Sequence, residues 1–559
     1  MKFVTLVREE QRYACPIPCL PSDTTTASPP TAMSKLLDFY QPPLNETFQF
    51  SIELQQLLNG RKLLLQEIPF PIHLIHDHYL NGYVSYNKSI KEENGTYTCL
   101  RCGNTEKHLF AKYQCARCDE ECTYCRHCIT MGKVSQCSPL ITWSGTPIQY
   151  PKQHRPLRWE GKLSPGQQQA SEKIVQAVEK SLRLEGCKKV IGQQQEVPLV
   201  PNDVTKSEKK LNTNVHCLTL HQLLLSIFNK QRQSQTVQQN KLLVWAVCGA
   251  GKTEILFEGM NRALELGQNV LIATPRSDVV HELTPRIKAV FPSTSVISLF
   301  GGSEDRGKQG QLVISTTHQL LRYKNHFDFV VIDEVDAFPF SYDPMLKYAA
   351  SQSAKPEATT ILLTATPDKN LQKQVTKGTL DAVKIPKRYH GHPLPVPTVE
   401  WSGNWRKLLS KGLIPTNICE WLEKRMNLKQ QAFLFVPSVA VLQKVVPILQ
   451  TTYPSVEGVH SEDPDRREKV QKFRNGDILI LVTTTILERG VTVPNIAVAV
   501  YGADDDVFTE SALVQISGRV GRSAEYPSGD IVFYHYGKTE AMLDAIDHIR
   551  EMNKLGGFS

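Results

Sequence analysis

Eight residues, Ala246-Val247-Cys248-Gly249-Ala250-Gly251-Lys252-Thr253, carry the clearest chemistry in the sequence. Gly249 and Gly251 let the backbone curl so that its N–H groups face inward, and a helix starting there adds positive potential, which together make an anion site. Lys252 can reach the β and γ phosphates of a nucleotide, and Thr253 can offer its hydroxyl to Mg²⁺. Ala246 stands where the strict pattern has glycine. A glycine-rich turn alone would be ordinary, but Gly-Lys-Thr after an apolar run and before a helix is a P-loop, and implies a nucleotide with Mg²⁺. Downstream, Asp333-Glu334-Val335-Asp336 follows the apolar run 329–332. Asp333 can hold Mg²⁺ and Glu334 can orient and deprotonate an attacking water. A lone Asp-Glu pair is common on surfaces; its place after a buried-looking run favours catalysis.

Two further stretches could complete such a site. Gln515-Ile516-Ser517-Gly518-Arg519-Val520-Gly521-Arg522 sets two arginines three residues apart, on one face if helical. Arginines so placed can reach a γ-phosphate across a cleft. Surface salt bridging is the plain alternative, and the intervening glycines, which cost helix stability, weaken it. Gln167, in Ser164-Pro165-Gly166-Gln167, lies on the first turn of an expected helix, where its amide could read an adenine edge.

Metal chemistry is concentrated elsewhere. Of 14 cysteines, eight fall between Cys99 and Cys137: Cys99-x2-Cys102, Cys115-x2-Cys118, Cys122-x2-Cys125-x2-Cys128 and Cys137. Paired thiolates at this spacing bend around one Zn²⁺, and two pairs complete a tetrahedron. Clustering in a large chain points to metal rather than to disulfides. Eight ligands could serve one site or two, and such a module could hold DNA or merely staple a segment too small to fold alone.

The elements that position these residues follow from pattern. A chain of 559 residues exceeds one core and implies three or four domains. Its 41% hydrophobic and 21% charged content is ordinary for a globular protein, and a net charge of +8 permits a polyanionic partner without demanding one. No run of about 18 apolar residues exists, so no transmembrane helix is expected, and the N-terminus lacks the apolar core of a signal peptide. From 242 onward, strand-like runs at 242–245, 269–273, 312–315, 329–332 and 360–363 alternate with helical segments such as 254–266. Polar residues gather after each run, where the carboxyl ends of parallel strands line a ligand crevice. The pattern repeats at 432–436 and 478–482. The expected organisation is a region of no assigned role at 1–95, with helical spacing over 54–70, and a zinc module at 96–140. Two α/β domains then follow at 155–388 and 398–559, joined by a Pro- and His-rich linker at 386–397. A flexible insertion at 182–240, with a short helix near 218–228, interrupts the first.

In this order the motifs resemble the superfamily 2 helicases and translocases over about 159–538. The resemblance implies two RecA-like domains with parallel sheets. It also implies nucleotide contacts from Gln167, residues 246–253 and Gln515, and arginine fingers in Arg519 and Arg522. Pro275, Arg276, Gly301, Gly302, Thr317, Thr484 and Arg489 (with Gly490) would touch nucleic-acid backbone. Asp336, Thr364 and Thr366 would couple hydrolysis to the strand. Finer matches at 99–104, 124–134, 245–254 and 273–280 resemble the late competence protein ComFA family. That resemblance implies a cytoplasmic ATPase at the inner face of the membrane, which helps draw single-stranded transforming DNA through a channel with other competence proteins. It further implies a four-cysteine zinc site, mapped onto Cys99, Cys102, Cys125 and Cys128. Cys115, Cys118, Cys122 and Cys137 exceed that set, leaving a second zinc or another pairing open. A PriA-like restart helicase would carry its cysteines between helicase motifs, whereas here they precede them all. A zinc-bearing non-motor adaptor and an RNA helicase are the other readings.

Overall fold

The computed structural model describes residues 1–8, 10–21, 26, 28–36, 38–193, 240–489, 491 and 493–558. The expected helix at 218–228, most of the 182–240 segment and Gly490 lie outside them. The backbone is helical from Pro165 to Gln193, so helix continues past 182, where the sequence pattern placed the start of the insertion. Residues 182–193 carry no proline and only two glycines, Gly186 and Gly192, so no strong breaker stops the helix there.

The apolar runs form two parallel sheets, as expected for sequences buried on both faces. The first has seven strands in the order Val296–Leu299, Leu312–Thr316, Val270–Thr274, Phe327–Ile332, Ala354–Thr364, Asn240–Ala246 and Asp381–Ile385. Every pairing in it is parallel. All the carboxyl ends therefore lie along one edge, which gathers 246–253, 274–276, 316–317, 333–336 and 364–366. The second sheet orders Thr398–Trp401, Ile531–His535, Ala497–Tyr501, Ala432–Phe435, Ile480–Thr483 and Val456–Val459, again all parallel. These are two RecA-like α/β domains.

The N-terminal region departs from the expected division. Helical spacing over 54–70 yields only Ile52–Leu58, followed by a turn and the strand Lys62–Leu64. Gly60 explains the break: its φ is +67°, and a Cβ there would meet the His326 ring at 1.9 Å. Leu140–Trp143 pairs with both Lys62–Leu64 and Val84–Asn87. The chain thus returns after its cysteines to a sheet begun before them, and the cysteine segment is an excursion from one N-terminal unit.

Charged side chains dock this unit on the first RecA-like domain. Glu67, its side chain 8% exposed, pairs with Arg101 at 3.2 Å and Arg322 at 2.8 Å. Lys62 Nζ donates to the Leu100 carbonyl at 2.6 Å and to Gln352 at 2.7 Å. His127 meets Asp343 at 3.1 Å, and Asp343 caps the helix Pro344–Ser353. Gly103, at φ +75°, lies so close to Tyr348 that a Cβ would come within 2.7 Å of its ring. Gly95 has nearly the same φ, +74°, with nothing within 4 Å. Left-handed backbone costs an alanine about 1–2 kcal/mol at either place. Gly103→Ala should therefore lower the melting temperature clearly more than Gly95→Ala, the excess reporting the docking contact.

Candidate nucleotide cleft and interdomain network

The strand Asn240–Ala246 ends in a turn whose glycines take φ +81° (Gly249) and +70° (Gly251), after which helix begins at Lys252. Only glycine holds such angles cheaply, so the loop keeps its cradle with no side chain filling it. Gln167 braces it from behind. Its Nε2 donates to the Ala250 carbonyl at 2.8 Å, and its Oε1 accepts the Ser164 N–H at 2.8 Å. The expected adenine-reading amide is thus engaged on the loop backbone, and Gln167 is buried.

The second domain closes the cleft from the opposite side. Its helix Glu510–Ser517 stops at Ser517, so Arg519 and Arg522 lie beyond its end rather than on a helical face. Gly518 at its end permits close packing: a Cβ there would sit 2.5 Å from Cys248 Cβ. Cys248 Sγ also donates to Gln515 Oε1 at 3.0 Å. Arg519 Nε donates to the Glu488 carbonyl at 2.8 Å and Nη1 to that of Val491, while Arg522 Nε donates to Gly518 at 3.0 Å. Gln167, Cys248, Gly249, Gly251, Lys252, Thr253, Asp333, Glu334, Gln515, Arg519 and Arg522 all line one cavity of about 540 Å³.

The electrostatics of this cleft suit a polyanion. Buried Gln515 Nε2 and Arg519 Nη2 have no hydrogen-bond partner among the described residues, and such donors are costly to leave unmet. Burial, with Arg522 nearby, pulls the Arg519 pKa well down. Burial and Glu334 push the Asp333 carboxyl up to about 6, against the opposing pull of Lys252. Glu334 holds φ +55°, a left-handed angle unusual outside glycine, and its N–H donates to Asp333 Oδ1 at 2.9 Å. ATP and Mg²⁺ fit these donors and carboxylates. Sequence reasoning missed Arg388, Tyr389 and Trp159. Arg388 is buried and donates to the carbonyls of Val520, at 2.7 Å, and Gly521. Its signal was a lone arginine in the 386–397 linker. Tyr389 N–H donates to Gly249 at 3.2 Å, and Tyr389 and Trp159 line the cleft mouth.

Asp336 joins the two domains. Its Oδ1 accepts from Thr364 at 2.7 Å, and its Oδ2 from Thr366 at 2.6 Å and Ser511 at 2.9 Å. Arg489 Nη2 pairs with Oδ2 at 2.5 Å, and Nη1 reaches Glu334 at 3.3 Å. Burial works to raise the Asp336 pKa, but Arg489 and the threonine hydroxyls overcome it and hold it well below the usual range.

This network engages part of the expected nucleic-acid face. Arg489 is 4% exposed, drawn inward by buried carboxylates. Thr317 is fully buried and Pro275 is buried by its strand. Arg276 donates to the Ile486 carbonyl of the other domain at 2.6 Å, and Thr484 is half-buried. Among the described residues of this set, Gly301 and Gly302 alone are exposed, with no atom within 4 Å of a built Cβ.

The expected zinc ligands Cys99, Cys102, Cys125 and Cys128 converge, their Sγ atoms all within 4.8 Å of one another and buried. Soft thiolates in fours could bind a metal and are the donor set of a closed zinc site.

Comparison with known proteins fits this anatomy. Residues 46–142 match the competence protein ComFA N-terminal domain, 160–369 the res subunit of type III restriction enzymes, and 415–524 the helicase conserved C-terminal domain. Competence protein ComFA of Bacillus subtilis (strain 168) is 42% identical over 92% of this chain and 98% of its own. The chain belongs to the ComFA family. Competence protein ComFA of Streptococcus pneumoniae (strain ATCC BAA-255 / R6) is 33% identical, covering 84% and 93% of the two chains. A yeast Dbp5 structure bound to RNA and ADP BeF3 aligns at 15% identity and TM-score 0.44, covering 59% of this chain and 90% of that one. On its matches to the res subunit of type III restriction enzymes and to the helicase C-terminal domain, this ComFA-family chain is a helicase-type, ATP-dependent enzyme. No helix among its described residues is long and apolar enough to cross a membrane.

Removing Arg489 would leave two buried carboxylates without their shared cation, a loss of about 3–5 kcal/mol. Arg489→Ala should therefore separate the domains, seen as a larger radius of gyration in nucleotide-free small-angle scattering. An unchanged radius would count against Asp336 as the joint.

Proposed function

We propose that this chain is a single-stranded-DNA-stimulated ATPase that moves along the strand and serves uptake of transforming DNA. The observation that supports it most is the shared cleft, in which Lys252 from one domain faces Arg519 and Arg522 from the other. Lys252 would hold the β and γ phosphates, and Glu334 would orient and deprotonate water. Arg522, with Arg519, would stabilise charge on the transferred phosphoryl. Thr253 and Asp333 would hold Mg²⁺, which neutralises phosphate charge when bound. Hydrolysis would loosen the contacts of Arg489 and Ser511 with Asp336, and product release would restore them. Alternating grip at sites such as Gly301-Gly302 would then advance the strand without reading sequence, so binding should weaken as salt rises. Its relatives are named competence proteins, and in this reading the chain would work at the inner face of the cell membrane with other competence proteins.

Steady-state ATP turnover measured with single-stranded DNA, duplex DNA and RNA tests this reading. The expectation is strong stimulation by single-stranded DNA above the other two. Stimulation by RNA alone would favour an RNA helicase, and none at all a non-motor adaptor. Lys252→Ala should abolish turnover with zinc content unchanged. Glu334→Gln should bind ATP normally yet hydrolyse it at least about 100-fold more slowly; normal turnover there would remove Glu334 from its role.

A further inference from the structure

Four cysteines remain after the first group is taken out, and the fold brings them together. Cys115, Cys118, Cys122 and Cys137 are all buried, with every Sγ within 4.8 Å of the others. Cys115 and Cys137 stand 3.6 Å apart, and Cys118 and Cys122 3.1 Å. A disulfide would need about 2.05 Å. Four thiolates around tetrahedral zinc, at about 2.3 Å each, stand about 3.8 Å apart, and the first group matches that with 3.9 and 3.7 Å. Polar donors also aim at the sulfurs, as they do around metal-bound thiolates. The Tyr113 hydroxyl donates to Cys115 Sγ at 3.2 Å, and Ser135 Oγ lies 3.5 Å from Cys137 Sγ.

Packing cannot replace an ion here. Between 104 and 137 the one fully buried aliphatic residue is Val134; the other buried side chains are cysteines or polar groups. The hairpin of Phe110–Cys115 and Glu120–Cys125 therefore has almost no core of its own. Thiols make poor hydrogen bonds, so four of them in one buried spot are better accounted for as ligands than as packing.

We propose that Cys115, Cys118, Cys122 and Cys137 bind a second zinc ion, cross-braced with the first. Along the chain the ligands interleave: 99 and 102 serve the first ion, 115, 118 and 122 the second, 125 and 128 the first, and 137 the second. Each site closes a loop that contains ligands of the other. Cys122 and Cys125 lie three apart on one strand and so face opposite sides of the hairpin. One ion is on the side continuous with the core of the first RecA-like domain. The other abuts Ala32, in the strand Thr31–Ala32 that pairs with Lys2–Arg8 in a separate N-terminal sheet, and nearby Lys35 pairs with Glu120 at 3.0 Å. The two ions together fasten the motor to the N-terminal sheet through a single hairpin.

Native mass spectrometry and elemental analysis of the full-length wild-type chain should give two zinc ions per chain. Cobalt substitution should give the absorption of two tetrathiolate centres. Cys118→Ser combined with Cys137→Ser should retain one zinc, and should lose it to a chelator at least tenfold faster than wild type loses its slower ion. One zinc per wild-type chain overturns the second site, whether or not the variant folds. Two zincs with an unchanged release rate in the variant overturns the cross-brace.

Discussion

One buried carboxylate organises the functional half of this molecule. Asp336 accepts hydroxyls from Thr364 and Thr366 on its own domain and from Ser511 on the other, and it shares Arg489 with Glu334. A charge so buried is tolerable only while its partners are present. The position of the second domain is therefore tied to the residue three places beyond Asp333. Any change that moves Glu334 is felt by Arg489, and any domain motion that withdraws Arg489 is felt by Glu334. That reciprocity is what a motor needs between its fuel site and its moving parts.

The cleft extends the same logic. Cys248 touches Gly518 so closely that no side chain fits between them, and Arg388 in the linker holds the Val520 and Gly521 carbonyls. These contacts put the arginines at the phosphate cradle without helical geometry. The N-terminal unit is fixed through Glu67 to Arg322 and through His127 at the cap of the helix that follows Asp336.

Much of this was legible in the sequence, for physical reasons. Strands such as Val270–Thr274 are apolar on both faces, which marks a sheet covered by helices, and the residues that follow them fall along one edge. The P-loop and its partners were readable because glycine, lysine and carboxylate chemistry is strongly tied to position. Less legible was what depends on contacts between distant residues. Gly60 ends a helical pattern because His326 lies against it, and Arg489 turns inward because two carboxylates await it there. Gln167 was found, but its engagement with the Ala250 carbonyl was not, since nothing local specifies that partner. Which cysteines share an ion likewise depends on hairpin faces rather than on spacing alone.

The account stands on Arg522 acting on phosphate bound by Lys252, some 270 positions earlier in the chain. The most direct test is Arg522→Ala in single-stranded-DNA-stimulated ATP turnover, with ATP affinity measured on the same protein. The account predicts a kcat lower by about 10³-fold or more with affinity nearly unchanged. An unchanged kcat, or a loss confined to ATP affinity, would contradict it.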